Sequence, residues 1–180
     1  GGVFNDTLFM STFDGNHAYL FKAVKKDSML TGDYWAGQTY HQFWTGFKNE
    51  NASLPDAESF TYLKPGVKTL EFTFPDLEGK NVSLTDERFK NKVVILQLFG
   101  TWCPNCMDET KYLSPWYDNN KQRGVEVLGL AFERKPDFTY ASERVKKMKS
   151  KWGVNYDFVI AGVDDKMKAA EALPALNKIV

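Results

Sequence analysis

At 180 residues, 43% hydrophobic and 15% aromatic, the chain carries enough apolar material for one large domain or two small ones, and too much for a disordered polymer. Its 23 basic and 23 acidic residues cancel, which removes the electrostatic case for nucleic acid or an anionic membrane surface as a partner. No apolar run approaches the roughly 18 residues of a transmembrane helix, and two cysteines in a single motif exclude a structural disulfide framework.

The first fifty residues read as β-structure at regular spacing. Asp6 to Phe13 alternates, and Asp14-Gly15-Asn16 is a hairpin signal. His17 to Val24 follows, then a turn at Lys25-Lys26-Asp27, then Met29 to Trp35, interrupted at Thr31-Gly32. After Ala36-Gly37-Gln38 comes a last strand, Thr39 to Phe47. Four short strands divided by turn residues predict an antiparallel meander domain over residues 1–50. Aromatics such as Phe9, Phe13, Tyr34, Trp35, Phe43 and Trp44 are the usual residents of half-buried strands, though they could also form a binding face. His17 and His41 are read as strand or turn residues, not metal ligands. Residues 51–67, with Asn, Asp, Glu, Ser and two prolines, read as a surface linker.

The second domain, 68–180, opens with a hairpin from Thr69–Phe74 to Val82–Leu84. Lys92 to Phe99 is a near-continuous apolar run, the pattern of a strand buried on both faces and expected at the centre of a sheet. Gly100-Thr101-Trp102 turns the chain into Cys103-Pro104-Asn105-Cys106, and a helix runs from Pro104 toward Leu113, with Ser114-Pro115 as a kink or a fresh start and Gly124 as a stop. A strand over 125–131 completes a βαβ unit. Phe138, Ala141, Val145, Met148 and Trp152 recur at helical spacing up to Gly153, with the lysines of 146–151 on the wet face. A third strand spans 156–160, and a short helix, capped by Asp164, spans 164–173.

The chemistry is concentrated at the two cysteines. Proline is favoured at the first helical position, where its missing N–H is not needed, so Pro104 places Cys103 at the N-cap. There its sulfur meets unpaired backbone N–H groups and the positive end of the helix dipole, which favour thiolate over thiol; such cysteines have pKa values of roughly 3.5–7.5 against about 8.5 for a free one. Cys106, one turn inward on the same face, is placed to resolve a mixed disulfide formed at Cys103. A zinc site would need four ligands and finds two. An inert buried disulfide conflicts with an exposed strand-to-helix turn. Glu109, a further turn along, lies on the same face, and Trp102 lies beside the thiol, where it either shapes a docking surface or caps the core.

Phe99-Gly100-Thr101-Trp102-Cys103-Pro104-Asn105-Cys106 after an apolar strand resembles the thioredoxin superfamily, and the Gly-Thr-Trp-Cys form with Glu109 resembles its TlpA/ResA-like branch of extracytoplasmic thiol-disulfide oxidoreductases. The resemblance covers residues 68–180. It implies an α/β, thioredoxin-like core, a central mixed sheet flanked by helices, beside the small antiparallel β domain. It also implies that Glu109 moves a proton to and from the inner cysteine, a task that calls for partial burial. Gln97 stands where cytosolic thioredoxins carry a buried acid, a departure that suits the TlpA/ResA-like branch. Pro104-Asn105 replaces the usual order with proline before the second cysteine. Pro174 reads as a helix stop, not as the cis-proline of the fold. The last β-hairpin and helix are therefore expected to be missing, leaving a sheet edge free to oligomerise. The implied function is disulfide reduction by Cys103 and Cys106 with no cofactor and no metal, only the redox-active disulfide. Protein thiol or disulfide clients and an upstream thiol reductant are the implied partners, and the bacterial periplasm or envelope the implied compartment. The alternatives are a thiol peroxidase of the redoxin group, whose lone-cysteine motif is absent here, and a non-catalytic binding or adhesion protein acting through the aromatic β domain.

Overall fold

A computed structural model describes residues 1–13, 18–56, 59 and 62–176. The predicted turn at Asp14-Gly15-Asn16, His17 and the chain end at Asn177–Val180 lie outside the described residues. The chain divides into two compact units, Gly1–Leu54 and Pro55–Val180.

The first unit is a five-stranded antiparallel sheet in sequential order: β1 (Gly2–Phe4), β2 (Thr7–Phe13), β3 (Ala18–Lys26), β4 (Met29–Ala36) and β5 (Tyr40–Phe47). Sequence reasoning anticipates four of these. The fifth, β1, is joined to β2 by a two-residue turn whose members Asn5 and Asp6 both take positive φ, 46° and 60°. Asn and Asp tolerate that region, and such a turn matches the twist of paired strands. The predicted interruption at Thr31-Gly32 does not occur, because Gly32 pairs with Ala23 in an unbroken ladder. A Cβ at Gly32 would overlap the Lys22 carbonyl, so glycine is what lets β3 and β4 close. One face carries Phe21, which packs on Tyr34 with ring centres 4.5 Å apart and meets Trp44 edge-on at 6.1 Å. Phe13, Phe43 and Phe47 are exposed. His41 is held by Asp33 at 2.8 Å and stacks on Trp35, the structural role expected of it.

The second unit is built on a three-stranded parallel sheet in the order β10-β9-β8, formed by β8 (Val93–Phe99), β9 (Val125–Glu133) and β10 (Asp157–Val163). The strand expected at the centre, β8, is therefore an edge of the described sheet, and β9 is the centre. Two successive βαβ crossovers advance in the same direction, through α1 (Pro104–Asn120) and α2 (Phe138–Trp152), and bring both helices to one face. There Tyr117, Val145 and Met148 pack with Val127, Ala131 and Phe158. The other face, with Leu128, Leu130 and Phe132, is covered by Phe72, Val82, Phe89, the helix α3 (Lys166–Ala172) through Ala169, and Leu173 just beyond it. The antiparallel component comes from the hairpin of β6 (Thr73–Pro75) and β7 (Asn81–Ser83), which bridges to the sheet at Asp76–Val159. Leu63 and Lys64, inside the stretch read as linker, pair with Leu176 and Ala175.

Helix boundaries follow their caps. Helix α1 runs on through Pro115 without restarting, and Gly124, at φ 77°, ends the 3₁₀ turn behind it. Gly153, at φ 61°, ends α2. Helix α3 is capped by Asp165, not Asp164: the Asp165 carboxylate accepts the N–H groups of Met167 and Lys168 at 3.0 Å each, whereas the Asp164 N–H is engaged by the Glu133 carbonyl.

Leu128, wholly buried in β9, is the test of this packing. Leu128→Ala should cost about 3 kcal/mol, read as a lowered denaturation midpoint with an unchanged slope. A loss under about 1 kcal/mol is incompatible with a fully buried leucine.

Candidate active site at the strand-to-helix turn

Strand β8 ends at Phe99 and Pro104 opens α1, so Gly100–Cys103 makes the turn between them. Each residue of that turn is fastened. The Trp102 indole N–H donates to the Phe132 carbonyl at 2.9 Å, and the Thr101 N–H donates to the Glu133 carboxylate at 2.7 Å. Gly100 is required by the first of these bonds: a Cβ there would overlap the Trp102 indole nitrogen and crowd the Phe132 carbonyl. Arg134 lies over the Trp102 ring, 5.2 Å from its centre.

Cys103 is the N-cap residue, in extended conformation (φ −94°, ψ 113°), with Pro104 at the first helical position. Its Sγ accepts the Cys106 N–H at 3.3 Å and is bonded to the Cys106 sulfur, the two Cα atoms being 5.3 Å apart. Both cysteines are half-buried, and Pro104 and Asn105 between them are exposed, so this is no sealed structural crosslink. A cavity of about 140 Å³ opens beside the sulfurs, walled by Trp102, Phe132, Leu98 and the loop at Asp164–Lys166. Among the described residues no group of three His, Cys, Asp or Glu side chains is placed to hold a metal ion.

Beneath the cysteines lies a buried polar network. Gln97, 2% exposed, donates its amide N–H groups to Glu109 at 3.0 Å and to Thr110 at 3.0 Å. Its carbonyl accepts the Tyr156 hydroxyl at 2.9 Å. The Thr110 hydroxyl returns to the Cys106 carbonyl at 2.8 Å. Gln97 thus joins Glu109 to the turn that carries Cys106, as their spacing in sequence cannot reveal. The expected partial burial of Glu109 is not found: it is exposed, because the side chains that fill the space under the helix are Thr110 and Gln97. Asp108, the neighbour of Glu109 in sequence, is half-exposed and pairs with Lys111 at 3.1 Å.

Four members of this region escape a reading of the motif alone: Thr110, Glu133, Arg144 and Tyr156. Thr110 had a signal, being four residues beyond Cys106 and so on its helix face. Glu133 had another, as an acid closing the apolar run of β9. Arg144 and Tyr156 arrive through tertiary packing.

Burial is the main cause that pushes the Tyr156 hydroxyl from 10.0 up to about 12. Tyr117 is also raised to about 12, by burial and then by its hydrogen bond to Glu126. Both folded values lie above the unfolded one, so in this window the native state binds more protons and stability falls with rising pH. The contribution is intact below pH 10 and is lost as the pH climbs from 10 toward 12. Tyr156→Phe and Tyr117→Phe should each flatten that alkaline loss in denaturation titrations, and an unchanged slope in both would contradict their burial.

Residues 65–178 match the AhpC/TSA family. The chain is 42% identical over 68 residues to the thiol-disulfide oxidoreductase ResA of Bacillus thuringiensis subsp. konkukian, covering 38% of each chain. It is 29% identical over 115 residues to ResA of Bacillus subtilis, covering 64% of this chain and 58% of that one. It therefore spans about two fifths to three fifths of the length of these curated relatives. Among solved structures it is similar to the thioredoxin domain of a thiol-disulfide oxidoreductase from Bacteroides vulgatus, with 29% identity and a TM-score of 0.48, covering 62% of this chain and 74% of that one. The family match takes in the hairpin, the parallel sheet and the cysteine turn, more than half of the chain: this protein belongs to the thioredoxin-like AhpC/TSA family.

Proposed function

We propose that the chain is a thiol-disulfide oxidoreductase that works as a disulfide reductase on protein clients. The observation that carries this reading is the N-cap seat of Cys103, whose sulfur takes the Cys106 N–H while bonded to the Cys106 sulfur beside an open cavity. In the reduced protein the same N–H and the helix dipole stabilise negative charge on Cys103. The Cys103 thiolate attacks one sulfur of a client disulfide, a Cys103–client bond forms, and the second client sulfur leaves as thiolate and takes up a proton. Cys106 loses its proton and attacks Cys103, releasing the first client sulfur. Two electrons have passed to the client, whose two sulfurs leave as thiolates and take up the Cys106 proton and one from solvent, and the Cys103–Cys106 bond is restored.

Glu109 serves as the proton carrier for Cys106. Gln97 holds its carboxylate, and its exposure lets it exchange protons with solvent. Trp102 forms a wall against which a client lies, and Pro104 fixes the helix start. An upstream thiol protein resupplies electrons. The compartment is extracytoplasmic, in keeping with the TlpA/ResA-like form of the motif. Among the described residues no helix is long and apolar enough to cross a membrane.

In the reduced protein at pH 6, iodoacetamide should modify Cys103 well before Cys106, as read by peptide mapping; equal or reversed labelling refutes the assignment of roles. A Cys106→Ser variant should accumulate a mixed disulfide with a model client through Cys103. Peroxide turnover far exceeding disulfide reduction would instead place the chain among thiol peroxidases. Glu109→Gln should slow exchange on the order of 100-fold at unchanged stability. A pH–rate profile identical to that of the unsubstituted protein removes Glu109 from the reaction.

A further inference from the structure

Behind the cysteine turn sits a charged pair that the exchange reaction does not touch. Glu133 closes β9 and is 0% exposed. Its side chain accepts the Thr101 N–H at 2.7 Å, and its backbone carbonyl accepts the Asp164 N–H at 2.8 Å. One residue thereby fastens both the approach to Cys103 and the β10–α3 loop that walls the cavity. Its other carboxylate oxygen has no hydrogen-bond partner among the described residues and lies 3.5 Å from Nε of Arg144. That Nε donates to the Thr101 hydroxyl at 2.8 Å. Arg144 comes from α2 and is partly exposed, its guanidinium also resting near the Tyr140 ring. Thr101 is thus gripped twice, at its backbone by the anion and at its side chain by the cation.

A carboxylate with no exposure is costly unless it is paired and hydrogen-bonded, and Glu133 is only half satisfied. Its position supplies a use. Thr101 and Cys103 are two residues apart, so their Cα atoms are at most about 7 Å apart. A unit charge about 10 Å from a thiol, acting through protein at an effective dielectric of about 20, moves its titration by on the order of one pH unit. A carboxylate opposes a thiolate, and a guanidinium favours it.

We propose that Glu133 and Arg144 are a pair of positioning residues that set the acidity of Cys103. Glu133 restrains the thiolate that the helix N-terminus would otherwise favour further, and Arg144 offsets part of that restraint. The inference rests on the proposed exchange at Cys103. The other charged groups around the cysteines are Glu109 and the Asp108–Lys111 pair on α1, Asp164 and Asp165 on the β10–α3 loop, Lys166 at the start of α3, and Arg134 over Trp102. None of these is altered by substituting the pair, so their contribution cancels in a comparison of variants.

The experiment is the rate of iodoacetamide alkylation of Cys103 against pH, in the reduced chain and in Glu133→Gln and Arg144→Gln. Gln at 133 keeps an oxygen for the Thr101 N–H and loses the charge. Its midpoint should fall by about one pH unit, which makes alkylation about tenfold faster well below the midpoint. The Arg144→Gln midpoint should rise by a comparable amount. Opposite signs are the signature of charge, because a loosened turn would move both variants the same way. Shifts of the same sign, or two unmoved midpoints, overturn the proposal. If Glu133→Gln does not fold, Arg144→Lys, which keeps the charge and gives up the Nε bond to Thr101, takes its place: a midpoint raised in Arg144→Gln and kept in Arg144→Lys sustains the pair, and equal midpoints in the two variants refute it. The exchange reading fails separately, if Cys103 of the unsubstituted chain titrates near 8.5 like a free thiol.

Discussion

The site depends on one hydrogen bond, from the Cys106 N–H to the Cys103 sulfur. A helix begins with N–H groups that have no carbonyl to meet, and here a sulfur occupies the place usually taken by a serine or aspartate oxygen. The same geometry makes Cys103 the residue that ends the turn, the acceptor that completes the helix start and the atom on which negative charge is best tolerated. Everything else near the site keeps that sulfur in place. Gly100 admits the Trp102 indole, Trp102 is tied to Phe132, and Thr101 is tied to Glu133. Both of these bonds end on the last two residues of β9, the middle strand of the parallel sheet. A site of half-buried side chains is thus held by the most deeply packed element of its unit.

The fold around the motif was legible because its signals are local. Pro104, Gly124 and Gly153 set helix limits by chemistry that acts within a turn, and the apolar runs of β8, β9 and β10 announce strands by composition. The arrangement of those strands was not legible. An apolar run looks the same at a sheet's centre and at an edge covered on both faces, so composition alone puts β8 at the centre that β9 occupies in the described sheet. The first strand carries no such signal, since three residues, Gly2–Phe4, are too few for alternation to register. Its turn, at Asn5 and Asp6, was the readable clue.

The site divides in the same way. Cys103 and Cys106 follow from spacing alone. Gln97 could be singled out as an amide in an apolar strand, but its reach to Glu109, Thr110 and Tyr156 joins three elements and has no sequence signature. Glu109 was expected to sit half-buried because a proton carrier benefits from burial. The structure separates the two requirements, exposing the acid and burying the amide that holds it.

Pro115 marks a gap in the hydrogen-bond ladder of α1. It sits inside α1 and has no N–H to offer the carbonyl one turn back, so the helix ladder is interrupted between the segment that bears the sulfurs and the segment that bears Tyr117. Tyr117 and Tyr156 meet edge-on, 6.1 Å apart, in the layer beneath. Tyr117 thereby ties the later turns of α1 to the chain beneath them, while the turns that bear the sulfurs are tied to β8 through Thr110 and Gln97.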